Sequence, residues 1–173
     1  MNSAQSDIDF FGKFVETKVI MNKITNPSDI KNFIFAGNST FTLKNPNTNK
    51  HFTYKVYNPN KNKEKEDIFF VKVLTGTDNE TDYSYIGYVK NSEYYHGKSN
   101  KTKISSNSPS VLGFMYLLNN IENLKLEFMH EGRCGRCGRK LTHPESLENG
   151  IGPECSSIIE KNIFNKKQSK IKF

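Results

Sequence analysis

The chain has 173 residues, 35% of them hydrophobic, with 25 Lys and Arg against 18 Asp and Glu. That suffices for one modest domain plus an appendage, and folding at this size buries roughly 70% of the unfolded surface, so no disulfide framework is needed. The longest apolar clusters, 68–71 and 111–118, are too short for a bilayer, and residues 1–9 carry acids where a signal peptide has a basic start, so a cytoplasmic protein is expected.

In chain order, Phe10, Phe11, Phe14, Val15, Val19 and Ile20 suggest an extended or strand segment. Asn26-Pro27-Ser28-Asp29 then predicts a helix start, with Asn26 as cap, Pro27 in the first turn and Asp29 at the positive end of the dipole. Ile30, Phe33 and Ile34 share one face of this helix, and Gly37 is the expected stop. Period-two alternation over Thr40–Lys44 and Phe52–Tyr57, joined by a polar turn at 45–50, predicts a hairpin. Ile68–Leu74, apolar on both faces, belongs in the interior of the sheet, and Tyr83–Lys90 follows as another strand. Within the polar stretch 91–107 an edge strand is expected around Thr102–Ile104. Ser108-Pro109 opens a second helix with Val111, Phe114, Met115 and Leu118 as its core stripe, and Leu124, Leu126 and Phe128 make a last strand. The predicted fold is α+β: a small antiparallel sheet packed by one or two helices, with a C-terminal zinc knuckle or treble-clef-like lobe. The expected divisions are an α+β domain at 1–129, a zinc lobe at 130–160 and a basic tail at 161–173.

All three cysteines fall in the last quarter of the chain, as Cys134-Gly-Arg-Cys137-Gly and, 18 residues on, Cys155. An odd count argues against a disulfide framework and for thiolate ligation, and two cysteines separated by two residues can both point into one tetrahedron. A redox pair would need a thioredoxin-like βαβ setting, which is absent. One structural Zn2+ is therefore expected, held by Cys134, Cys137, Cys155 and a fourth donor. His130, at the end of the strand that enters the knuckle, is preferred. His143 stays open as an alternative, as does a water or a carboxylate; Thr142 and Glu145 would form a capping box that places His143 in the first turn of a short helix ending at Gly150. His51 and His96 are expected to be surface rings. A site of three thiolates and one imidazole has no open position for a reactive water, and the His-x-Glu pattern of deaminases is missing, so no catalytic residue is assigned.

The run His130-Glu-Gly-Arg-Cys-Gly-Arg-Cys-Gly-Arg-Lys-Leu-Thr142, then Pro144-Glu-Ser146 and Gly150-Ile-Gly-Pro-Glu-Cys155, resembles the uncharacterised family called domain of unknown function 6011. Segments 36–43, 52–56 and 74–79, with Asp82, Tyr83 and Gly87, are similar to the N-terminal part of its longer members. The family pattern matches Cys134, Cys137 and Cys155, and in the longer members the position of His130, but does not require His143. The resemblance implies a protein of phages, prophages or plasmids and carries no activity.

The charge is uneven. Residues 130–173 hold nine basic and five acidic side chains, and Lys161, Lys166, Lys167, Lys170 and Lys172 close the chain without an acid among them. Arg133, Arg136, Arg139 and Lys140 around the knuckle, with Lys166 and Lys167 of the tail, are the expected phosphate contacts of a nucleic-acid-binding accessory protein. The alternative is a protein-binding inhibitor or regulator of a host or defence factor, in which the zinc lobe is a brace; no membrane partner is expected. Tyrosines 54, 57, 83, 85, 88, 94 and 95 alternate with lysines such as Lys55, Lys72 and Lys90, a pattern that suits either strand packing or base stacking. Asp78, Glu80 and Asp82 are expected to form a solvated turn, since the segment lacks the Gly and Glu that a calcium loop needs at Tyr83 and Val89; an enzyme using these acids is the least favoured reading.

Overall fold

The computed structural model describes residues 21–61 and 68–169. The N-terminal strand expected over Phe10–Ile20 lies outside the described residues. The chain forms strand β1 (Asn22–Lys23), helix α1 (Pro27–Ile34), strands β2 (Asn38–Lys44), β3 (His51–Tyr57), β4 (Ile68–Leu74), β5 (Tyr83–Lys90) and β6 (Glu93–His96), helix α2 (Pro109–Asn119), a 3-10 turn (Ile121–Asn123), strand β7 (Glu127–His130) and helices α3 (Pro144–Asn149) and α4 (Pro153–Ser169). The strands make one antiparallel sheet of seven in the order β1-β7-β2-β3-β4-β5-β6. Among the described residues no helix is long and apolar enough to cross a membrane.

Local signals account for most of these elements. Asn26 caps α1 as expected, its side-chain oxygen accepting from the amides of Ser28 at 2.9 Å and Asp29 at 3.3 Å, which satisfies two of the donors a helix start leaves open. Ile30, Phe33 and Ile34 are buried. The helix ends earlier than its expected stop, at Phe35, and Gly37 instead takes a φ of +113° in the turn that feeds β2. The predicted hairpin is β2 and β3 in continuous register from Asn38 opposite Tyr57 to Lys44 opposite His51. β4 runs between β3 and β5, in the interior as its apolar faces required.

The edge strand forms at Glu93–His96 and not at Thr102–Ile104. Asn91 and Ser92 both adopt positive φ, 52° and 66°, the geometry of a tight two-residue hairpin turn whose twist suits adjacent strands. Thr102 and Ile104 belong to the following loop, which His96 pins through a 3.1 Å contact between Nε2 and the Ile104 carbonyl while Nδ1 meets the Tyr94 hydroxyl at 3.1 Å. His96 is thus a half-buried tie, not a free surface ring.

The core lies on one side of the sheet, beneath α1 and α2. Phe33 of α1 meets Phe128 edge-on, and Phe41 stacks on Phe128 at 4.6 Å between ring centres. Tyr54 is fully buried and donates its hydroxyl to the Ser110 carbonyl at 2.7 Å. On α2 the inward stripe is Val111, Phe114 and Leu117, with Leu118 partly buried, whereas Met115 is 38% exposed. The helix is therefore rotated by part of a turn from the expected stripe, because the Ser110 carbonyl and Phe114 ring both face Tyr54.

The C-terminal lobe grows out of β7. Its buried residues Cys134, Leu141, Ile151 and Cys155 belong to the same hydrophobic cluster as the sheet residues. Helix α4 continues through residue 160, where a separate tail was expected to begin.

Candidate metal centre

The lobe opens with a small knuckle closed by backbone hydrogen bonds: the Cys134 amide to the Arg139 carbonyl at 2.9 Å, the Gly138 amide to the Cys134 carbonyl at 2.9 Å, and the Leu141 amide to the Gly132 carbonyl at 2.7 Å. An antiparallel bridge joins Arg133 and Lys140. Gly138 takes a φ of +76° at the return of the chain. Helix α3 follows, with His143 at its cap position but without a side-chain capping bond, so the capping box expected from Thr142 and Glu145 does not form. α3 does end at Gly150, which adopts a left-handed φ of +74°. Pro153 then starts α4, and Cys155 sits in its first turn.

This path brings the three sulfurs together. The Sγ atoms of Cys134, Cys137 and Cys155 all lie within 4.8 Å of one another, with Cys134 and Cys155 buried and Cys137 exposed; among the described residues they are the cluster of ligating side chains that could hold a metal ion. All three thiols are free of disulfides. Burial pushes the Cys134 thiol up, but the amides of Gly152, Cys137 and Arg136 and the Cys137 thiol aim at its sulfur and hold it below the ordinary thiol value; the Gly152 amide lies 3.5 Å away. Burial, followed by the neighbouring Cys137 and Cys134 thiols, pushes Cys155 up to about 12. Three thiols at this separation cannot all ionise unaided, since like charges in a partly buried site oppose one another. A cation relieves that conflict, and the donor set suits a thiophilic divalent ion.

The expected fourth ligand is placed elsewhere. His130 is fully buried, its Nε2 lies 2.8 Å from the Leu147 carbonyl and its Nδ1 accepts from the Gly132 amide at 3.2 Å. The tautomer with the proton on Nε2 satisfies both bonds, so neither ring nitrogen is left for the sulfur cluster. The ring packs beside Phe33, 5.1 Å between centres. It ties β7 to α3 as a strut. His143 is exposed and outside the cluster as well.

Two glycines make the seat of the lobe. A Cβ at Gly135 would stand 2.9 Å from Phe33 Cδ2 and 3.0 Å from the Phe33 carbonyl, and one at Gly150 would stand 2.6 Å from Phe33 Cε2 and 3.1 Å from Ile24 Cδ1. The Gly135 amide donates to Gly150 at 3.0 Å and the Gly135 carbonyl accepts from Asn38 at 2.8 Å, so the knuckle is bolted to both α3 and β2.

The basic residues divide. Arg136 is only 8% exposed; its Nη1 donates to the Ala36 carbonyl at 3.4 Å and its Nη2 to the Lys61 carbonyl at 3.3 Å. Lys61 returns a bond from Nζ to the Arg136 carbonyl at 2.6 Å. Arg136 is therefore a tie between lobe and sheet and is withdrawn from the phosphate-facing set, because its guanidinium is buried and turned toward the carbonyls of Ala36 and Lys61. Arg133 is exposed and donates to the Gly138 carbonyl at 3.2 Å. Arg139 lies 3.7 Å from Glu154, with both side chains more than three-quarters exposed, and Lys140 is exposed. Lys166 and Lys167 fall on α4 with side chains outside the described ones, and Lys170 and Lys172 lie outside the described residues.

The acids at 78–82 serve their own turn. Asp78 Oδ1 accepts from the amides of Glu80 at 2.7 Å and Thr81 at 3.1 Å, and Asp82 Oδ2 accepts from the Asp78 amide at 2.9 Å. Those amides hold the Asp78 carboxyl below its usual value.

Comparison with known proteins finds a likeness in the C-terminal part of the chain. A family described as a family of unknown function (DUF6011) matches residues 125–159, which contain β7, the knuckle, α3 and all three cysteines. No curated protein and no solved structure matches the chain.

Proposed function

We propose that the protein is a non-enzymatic accessory protein of mobile-element type that binds nucleic acid beside a zinc-braced lobe. The observation that carries this reading is the juxtaposition of the sulfur cluster with an exposed basic rim, Arg133, Arg139 and Lys140, on the same knuckle. Cys134, Cys137 and Cys155 would hold zinc, with water as fourth donor on the side where Cys137 is exposed. The ion would supply cross-links to a segment too short to hold its shape by apolar burial. Among the described residues Arg139 is opposed by Glu154 in a loose, exposed contact, which is worth little in water and leaves the guanidinium available to phosphate.

Elemental analysis and fluorescence polarisation with labelled DNA and RNA test this reading. One zinc per chain is expected, together with binding that weakens steeply as salt rises from about 50 to about 200 mM. Absence of binding at low salt, with one host protein co-purifying instead, would overturn it in favour of the protein-binding alternative.

A further inference from the structure

The sheet face turned away from α1 and α2 carries the second half of the strand pattern. Because side chains alternate along a strand, burying Tyr54, Val56, Val71, Val73 and Ile86 in the core puts Lys55, Tyr57, Phe70, Lys72 and Tyr85 on the other side. There the rings touch one another across three strands: Tyr57 of β3 meets Phe70 of β4 at 5.5 Å, and Phe70 meets Tyr85 of β5 at 6.3 Å. Further toward the edge, Tyr88 stacks on Tyr95 of β6 at 5.1 Å and 13°.

Lys55 and Lys72 are directly opposed in the β3–β4 register. Like charges at opposed positions destabilise a sheet. Neither ammonium lies within ion-pair distance of a carboxylate among the described residues; Lys55 Nζ instead sits 4.9 Å from the centre of the Tyr83 ring and Lys72 Nζ 5.4 Å from that of Tyr57. The nearest acid of the β5–β6 hairpin, Glu93, accepts from the Tyr95 hydroxyl at the margin of the face. A repulsive cation pair set among half-buried aromatic rings is complementary to a ligand that has both flat π-faces and regularly spaced anions.

We propose that this face of β3, β4 and β5 binds single-stranded nucleic acid, with bases stacked on Tyr57, Phe70 and Tyr85 and backbone phosphates on Lys55 and Lys72. Single strands fit better than duplex because only unpaired bases can present their faces to the rings. The assignment rests on the nucleic-acid reading above but uses a surface separate from the knuckle.

The test is polarisation of labelled oligo-dT and oligo-rU of about 20 nucleotides against a duplex of equal length, using the full chain. Single strands should bind more tightly than duplex. The double variant Lys55→Gln/Lys72→Gln should lower affinity about tenfold or more at low salt and reduce the slope of log K against log salt by about 1.4, two phosphates at about 0.7 each. Tyr85→Leu and Tyr57→Leu should each lower affinity about fivefold or more and leave the slope unchanged. Zinc content and thermal midpoint report that each variant keeps its fold; the lysine pair, half-buried and opposed to each other, serves as the independent arm should a tyrosine variant fail to fold. If these variants bind normally while Arg139→Gln/Lys140→Gln does not, the sheet assignment is wrong and the knuckle reading stands. If the wild type binds no oligonucleotide, both are wrong. Concentration-dependent self-association that the sheet variants abolish, without oligonucleotide binding to that face, would assign it to a second copy and overturn the proposal.

Discussion

The ring of Phe33 on α1 occupies the space that a side chain at residue 150 would need: a Cβ built on Gly150 meets Phe33 Cε2 at 2.6 Å, in a backbone conformation with φ at +74°. The same ring touches His130 and crowds Gly135. One core aromatic thus sets how closely the knuckle, α3 and the end of β7 approach the sheet, and it does so at a point between the cysteines in sequence. The lobe is seated by packing as well as by any ion its sulfurs take.

Gly150→Ala is expected to destabilise the protein by about 2–4 kcal/mol, combining the left-handed backbone penalty with overpacking against Phe33. Urea unfolding measures this. Pairing it with Phe33→Leu should give a loss smaller than the sum of the two single changes, since the smaller side chain vacates the contested space.

Chelation, or Cys134→Ser or Cys155→Ser, should release one zinc per chain and lower the thermal midpoint, because metal binding free energy is folding free energy for such a segment. Elemental analysis and a melting curve check the pair of effects. Retention of zinc by Cys155→Ser would show that the three sulfurs do not act together.

His130→Gln separates a strut from a ligand. The change should leave zinc content at the wild-type level and cost about 1–3 kcal/mol, from the disturbed bonds to Leu147 and Gly132. Loss of the metal in this variant would return His130 to the ligand set.

Burial holds His130 below its ordinary value of 6.5, the Leu147 bond opposing only in part. A histidine with a depressed folded-state value contributes stability that is fully present above 6.5 and is lost as pH falls below it, where the unfolded chain takes up the proton first. Wild type should therefore lose more stability than His130→Gln between pH 7.5 and pH 5.5, roughly one unit either side of that value. Denaturant titrations at the two pH values, compared between the two proteins, give the difference.

Arg136→Leu should destabilise by about 1.5–3 kcal/mol, the range for hydrogen bonds to a charged group, and leave the carbonyls of Ala36 and Lys61 short of a partner. Arg139→Gln and Lys140→Gln should change stability by no more than about 0.5 kcal/mol yet weaken oligonucleotide binding and its salt dependence. Equal effects of all three on binding, with stability untouched, would place Arg136 back among the exposed cations.

Elements whose signals lie within a few residues were legible. Asn26 capping its own helix, the alternation of β2 and β3, and the left-handed Gly150 each depend on neighbours in the chain. Where the outcome depended on distant partners, reading by pattern missed. One local signal was missed as well: Asn91-Ser92 lacks the glycine that marks a tight hairpin, so the edge strand was expected at Thr102–Ile104, though positive φ values at both residues make the same turn. Arg136 and Arg139 are indistinguishable by spacing, and only the carbonyls of Ala36 and Lys61 divide them.

By itself the sequence determined that three thiols stand at metal-binding spacing, that the fold is α+β, and that the C-terminal segment is richest in positive charge, because all of these are properties of composition and short-range geometry. Tertiary structure decided which groups those thiols meet. Cys155 reaches Cys134 through the turn of α3, His130 turns its Nε2 to a backbone carbonyl 17 residues away, and Lys55 comes to face Lys72 across a strand pair. Burial and hydrogen-bond saturation are imposed by partners distant in the chain, so the role of a titratable or charged side chain is settled only when the fold assigns its neighbours.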